Sequence, residues 1–229
     1  MENLHKGHRE RMREEFLAMP DSVKPADHKL LEMLLFYGIP QKDTNPIAHT
    51  LINTFGSFHA VLEADVTELA NVKGMTKNAA CLIKLLLPMA RAYILDKYDD
   101  TAFSSTDEIT NYILANYFGV HKEICSLLCM NHAGKLLSYD VISEGDIDSV
   151  GISIRTVIEK IIQTGATSIV LAHNHPSGIA LPSPSDVTIT ATISKALKTV
   201  NVKLVDHIII ANDDHISMAL SREYERLFD

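Results

Sequence analysis

The sequence predicts two domains: an all-α bundle over residues 1–98, a linker at 99–104, and an α/β sandwich of mixed sheet and flanking helices over 105–229. Three observations carry this. Before residue 92 the patterned segments read as helices joined by short polar loops. From Ala92 to Ser104, through Tyr98-Asp99-Asp100-Thr101, the composition turns polar, as an interdomain boundary does. Beyond it, short apolar strands alternate with capped helices. With 229 residues and 46% hydrophobic content, the chain can bury a core as one large domain or two small ones.

The first helix is charged, from Gly7 through Arg9, Arg11 and Arg13 to Leu17, and reads as a solvated face with intrahelix ion pairs. His28 to Gly38 is apolar enough for a buried helix ended by the glycine, and Asp43-Thr44-Asn45-Pro46 starts another through Leu51 and Ile52. Leu69 to Ala80, continuing to Lys84, resembles a helix-hairpin-helix motif, which grips a phosphate with a glycine hairpin and the amides of the next helix. Gly74 matches the first glycine. Thr76 stands where a second is usual, and its side chain obstructs close backbone approach.

In the second half, Ser105-Thr106-Asp107-Glu108 caps a helix over Thr106–Tyr117, and a strand from Glu123 to Met130 follows. A turn at Asn131-His132-Ala133-Gly134 leads to a strand from Lys135 to Ile142, and then a helix from Ile152 to Gln163. The apolar run Ile169-Val170-Leu171-Ala172 reads as a buried strand. After it come a helix ending at Thr199 and a strand from Val202 to Ala211.

The buried strand ends in His173-Asn174-His175. Side chains two apart on a strand share a side, so both imidazoles can face one point, as two ligands of one cation must. Pro176, Ser177, Gly178 and Pro182 hold the next segment as a loop. Ser183-Pro184-Ser185-Asp186 then starts the helix, with Ser183 as N-cap, Pro184 at N1 and Asp186 at N3. A carboxylate at N3 is favoured by the helix dipole and can face back toward the histidines.

His-x-His-Pro, a Gly and Pro loop, and Ser-x-x-Asp together resemble the JAMM (MPN+) metalloprotease signature, and with it a cytidine-deaminase-like sandwich. The resemblance implies a zinc ion (Zn2+) held by His173, His175 and Asp186, with Ser183 stabilising the tetrahedral intermediate. Three such ligands leave a fourth tetrahedral position for water, whose pKa the ion lowers. A base must still move the proton, and in the family this is an upstream glutamate. Two compete. Glu123 heads a buried strand and follows a helix, as the family order has it, and is the stronger of the two. Glu144, in Ser143-Glu144-Gly145-Asp146, reads as a solvated acid in a turn.

Near the end, His207 of Asp206-His207 reads as a polar residue on a half-buried strand, with support of the metal site as the other reading. Asp213, Asp214 and His215 lie just beyond, and Ser217 reads as packing or surface. Cys125 and Cys129 share a strand face; with Cys81 they make an odd count without a Cys-x-x-Cys pair, which reads as buried thiols in a reducing compartment. The apolar runs look far short of a membrane span and the N-terminus lacks a signal-like apolar region, so no membrane partner and a cytoplasmic location are expected. The net charge of −8 disfavours a broad phosphate-binding surface. Its acid excess lies mainly in the second half, where residues 101–229 carry 9 Lys and Arg against 15 Asp and Glu.

Dispersed matches resemble the bacterial RadC family over almost the whole chain: Gly-His-Arg-Glu-Arg, Asp-Thr-Asn-Pro, Phe55-Gly56-Ser57, His-Asn-His-Pro-Ser-Gly with Pro-Ser-x-x-Asp, and Asp-His-Ile-Ile. The expectation is a zinc-dependent peptidase or isopeptidase acting on a protein or peptide, its substrate recruited by the N-terminal helices. The alternative is a DNA-repair module contacting nucleic acid through Gly74 and the Arg9–Arg13 helix, with the metal domain as scaffold. A metal-dependent hydrolase of nucleic acid is a third reading, because activated water attacks several electrophiles.

Overall fold

The computed structural model describes residues 7–98, 102–120, 122–145, 152–176, 178–212 and 214–229. Asp99, Asp100 and Thr101 of the expected linker, Asp146, Ser177 and Asp213 lie outside the described residues. The chain divides into two compact units, Met1–Ala92 and Tyr93–Asp229.

The first unit is helical: α1 (His8–Leu17), α2 (Asp27–Gly38), α3 (Asn45–Phe55), α4 (Phe58–Glu63), α5 (Val66–Asn71) and the start of α6 (Lys77–Asp96). Leu31, Leu35, Leu51, Val61, Leu69 and Ile83 form its core, each fully buried. The apolar stripe of α2 leaves Glu32 inside as well. Its carboxylate lies 2.7 Å from His8 Nε2 and accepts from Asn45 Nδ2 at 2.7 Å. Arg9 is no solvated arginine. Its guanidinium donates to the carbonyls of Phe36 and Ile39 at 2.9 and 2.7 Å, satisfying carbonyls that the end of α2 leaves without helical partners, and to Lys42 O in the following loop at 2.6 Å. Among the described residues, α6 has the length and composition to cross a membrane, a run the sequence reading overlooked because Lys84 and Arg91 interrupt it. Lys84 Nζ donates to the carbonyls of Leu62 and Glu63.

The second unit carries α7 (Thr106–Tyr117), β1 (Ile124–Met130), β2 (Leu136–Glu144), α8 (Ile154–Thr164), β3 (Ser168–Asn174), α9 (Pro184–Thr199), β4 (Lys203–Ala211), β5 (Asp214–Ser217) and a 3-10 turn at Glu225–Leu227. The five strands form one mixed sheet in the order β2-β1-β3-β4-β5. β1 is antiparallel to β2 and β3, β3 is parallel to β4, and β4 is antiparallel to β5. Strand alternation divides the sheet's side chains between two cores. Cys125, Leu127, Ile169 and Leu171 pack with Val157 and Ile161 of α8 and Ile193 and Leu197 of α9. Leu128, Val170, Ala172 and Ile208 pack with Ile109, Tyr112 and Ile113 of α7. The result is the expected sheet between helices. It also places Glu144 at the end of β2 rather than in a turn, and Ser217 on a strand, β5, that the sequence reading did not foresee.

Candidate metal centre

β3 is buried on both faces and ends at the sheet margin, so its last residues carry the chemistry. His173 is fully buried, while His175, just past the strand, keeps part of its ring open. Facing them, the start of α9 is built as its sequence predicts. Asp186 N–H donates to Ser183 Oγ at 3.2 Å, and Ser183 N–H donates to Asp186 Oδ2 at 2.7 Å, a reciprocal cap. The cap fixes the Asp186 carboxylate, 2% exposed, toward the histidines. Burial works against its ionisation, but the neighbouring His173 ring and the hydrogen bonds of Ser183 outweigh it, holding the carboxyl well below its usual range.

His173 Nε2 lies 2.8 Å from His175 Nε2 and 3.2 Å from Asp186 Oδ1, and His175 Nε2 lies 3.5 Å from Asp186 Oδ2. Tetrahedral geometry with bonds of about 2.0–2.1 Å needs donor atoms about 3.3 Å apart. The three separations bracket that value, and the donor set fits: two imidazoles and an ionised carboxylate, all within 4.8 Å of one another. Among the described residues this is the group of three able to hold a metal ion.

Both competing glutamates lie at this end of the sheet. Cys125 pairs with His173 across β1 and β3, and two residues before it, next to the first residue of β1, comes Glu123. Asn174 bonds the main chain on both sides of it: Oδ1 accepts from Ile124 N–H and Nδ2 donates to Lys122 O, each at 2.9 Å. Glu144 pairs with Ile124, and its carboxylate takes an ion pair from exposed Lys122 at 2.7 Å. Burial, then the charges of Asp186 and Glu123, push the Cys125 thiol far above its ordinary value.

The strand that carries His207, expected to be half-buried, is buried along most of its length; His207 itself is fully buried, with Nε2 at 2.9 Å from His173 Nδ1 and Nδ1 at 2.6 Å from Thr190 Oγ1. Burial first, then the His173 ring against it, keeps its pKa well below the ordinary imidazole value. Asp206, also buried, holds the neighbouring main chain by accepting from the N–H groups of His207 and Ala219 at 2.7 and 2.9 Å and from the Ser217 hydroxyl. Thr190 escaped the sequence reading. Its only signal was a place one helical turn beyond Asp186, on the same face of α9.

In the first unit, Gly74 takes φ +95°, and an added Cβ would stand 3.0 Å from the side chain of Ile47. Thr76 Oγ1 accepts from Ala79 N–H at 3.1 Å, occupying one of the α6 amides that a phosphate would use.

A mixed sheet between helices, with His-x-His at the end of an inner strand and an acid from the following helix, defines a JAMM-type domain, the class of metal-dependent hydrolases. Residues 103–224 match the family described as RadC-like JAB domain. The chain is 35% identical over 227 residues to the UPF0758 protein FN0909 of Fusobacterium nucleatum, covering 94% of this chain and 96% of that relative. It is 33% identical over 221 residues to the UPF0758 protein SPO0054 of Ruegeria pomeroyi, covering 95% and 97%. Neither name states an activity. This chain belongs to the RadC family.

Proposed function

We propose that the chain is a zinc-dependent hydrolase of peptide or isopeptide bonds. The observation that supports this most is the convergence of His173 Nε2, His175 Nε2 and Asp186 on one point. Zinc, when bound there, supplies an acidified water and a polarised substrate carbonyl. Glu123 takes the proton of the attacking water and returns it to the leaving nitrogen. The Ser183 hydroxyl, fixed at the head of α9, faces the developing oxyanion. Buried Cys125 and Leu171, on the same face of the sheet as His173, keep bulk water from that side of the site. Three free cysteines, two of them buried, fit a reducing cytoplasm. The substrate is a protein or peptide, recruited by the N-terminal helices.

The test begins with metal content. Protein purified without chelator is expected to hold about one zinc per chain, lost in His173→Ala and Asp186→Ala. The same protein is then screened on peptide and isopeptide-linked substrates, where Glu123→Gln should keep the metal and lose at least ~100-fold in rate. A folded protein that takes up no zinc even when it is offered would sink the reading.

A further inference from the structure

We infer that His207 and Thr190 form a hydrogen-bond relay that fixes His173 in the one tautomer able to bind a metal; the role assigned to them rests on the zinc-site reading above. The direction of every link follows from chemistry. Asp186 O is a main-chain carbonyl and only accepts, so the single hydroxyl proton of Thr190 goes to it, across 2.5 Å. Thr190 Oγ1 must then accept in its 2.6 Å contact with His207, which places a proton on His207 Nδ1. A neutral imidazole with Nδ1 protonated has a lone pair on Nε2. That lone pair meets His173 Nδ1 at 2.9 Å, so His173 carries its proton on Nδ1. His173 Nε2 is left with a lone pair, and it points at His175 and Asp186.

The relay begins on the main chain of one ligand, Asp186, and ends on the ring of another, His173, tying α9, β4 and β3 together. Its middle member cannot swing away. His207 is fully buried, its N–H is held by Asp206, and its carbonyl accepts from Met218 N–H at 3.1 Å. Neither residue reaches the metal point, so both are positioning residues. A metal-bound histidine with its second nitrogen held in this way is a better ligand, and losing such a partner typically weakens metal binding about 10- to 100-fold.

Two measurements test this. In zinc-free protein with 15N-labelled histidine, the ring-nitrogen shifts of His173, assigned with His173→Gln, are expected to show Nδ1 protonated and Nε2 bare. The opposite tautomer would overturn the relay. Zinc affinity, read by competition with a chromophoric chelator, is expected to fall about 10- to 100-fold in Thr190→Val and to return to the parental value in Thr190→Ser. Parental affinity in Thr190→Val also overturns it. Should Thr190→Val fail to fold, Thr190→Ser and the parental ring-nitrogen shifts still decide. If the parent binds no zinc, the hydrolase reading fails, while the shifts report on the relay separately.

Discussion

Asn174 stands between two proposed ligands and binds no metal point itself, because alternation along β3 turns its side chain to the opposite face. Its amide instead spans the main chain around Glu123, accepting from Ile124 N–H and donating to Lys122 O. A carboxylate that moves a proton must sit within hydrogen-bond reach of it, and a misplacement of about 1 Å can cost about 100-fold in rate. Asn174→Ala removes both bonds and leaves the three ligands in place. We expect the zinc content of this variant to equal the parent's, and its rate on the substrate cleaved by the parent to drop by about 10- to 100-fold. An unchanged rate would show that Glu123 keeps its place without this bridge.

The elements are joined by a few positions where only glycine serves, and two of them can be compared. Gly134 turns β1 into β2 at φ +73°, and an added Cβ would meet Phe103 O at 2.6 Å. Gly165 ends α8 at φ +67° with open space around it. Alanine at Gly165 pays only the left-handed conformation, about 1–2 kcal/mol. At Gly134 it also drives a main-chain segment away, so Gly134→Ala should lower stability in urea melts by at least about twice as much. Equal losses would mean that the segment at Phe103 shifts freely. Much of this element scale was legible in the sequence: the cap Ser183-Pro184-Ser185-Asp186, the helix Thr106–Tyr117 and the strand before His173 carry local signals, and all three are present. The rest depends on contacts far along the chain. Arg9 reads as a surface charge until the carbonyls ending α2 fold onto it, and β5 hides in the polar run Asp214-His215 because its pairing with Ile209 and Ile210 makes it a strand. The strand of His207 reads as half-buried because nothing local announces that Thr190 and His173 cover the ring.

For the molecule as a whole, the open question is the partner, and charge decides the expectation. Nonspecific affinity for nucleic acid comes mainly from cations that neutralise phosphates, and this chain carries 21 Lys and Arg against 29 Asp and Glu. Of the features that favoured DNA, Arg9 is engaged on the carbonyls at the end of α2 and an α6 amide on Thr76, while Arg11 and Arg13 stay exposed. Lys73 and Lys77 flank Gly74 and are exposed too, so they are the residues a phosphate contact at the hairpin would use. The full chain titrated into a labelled DNA duplex should therefore show no saturable binding at physiological salt, and any association at low salt should be weak and unchanged in a Lys73→Ala, Lys77→Ala double variant. Tight binding that falls steeply with salt and disappears in that variant would assign the helical unit to nucleic acid. It would leave the proposed metal site in place.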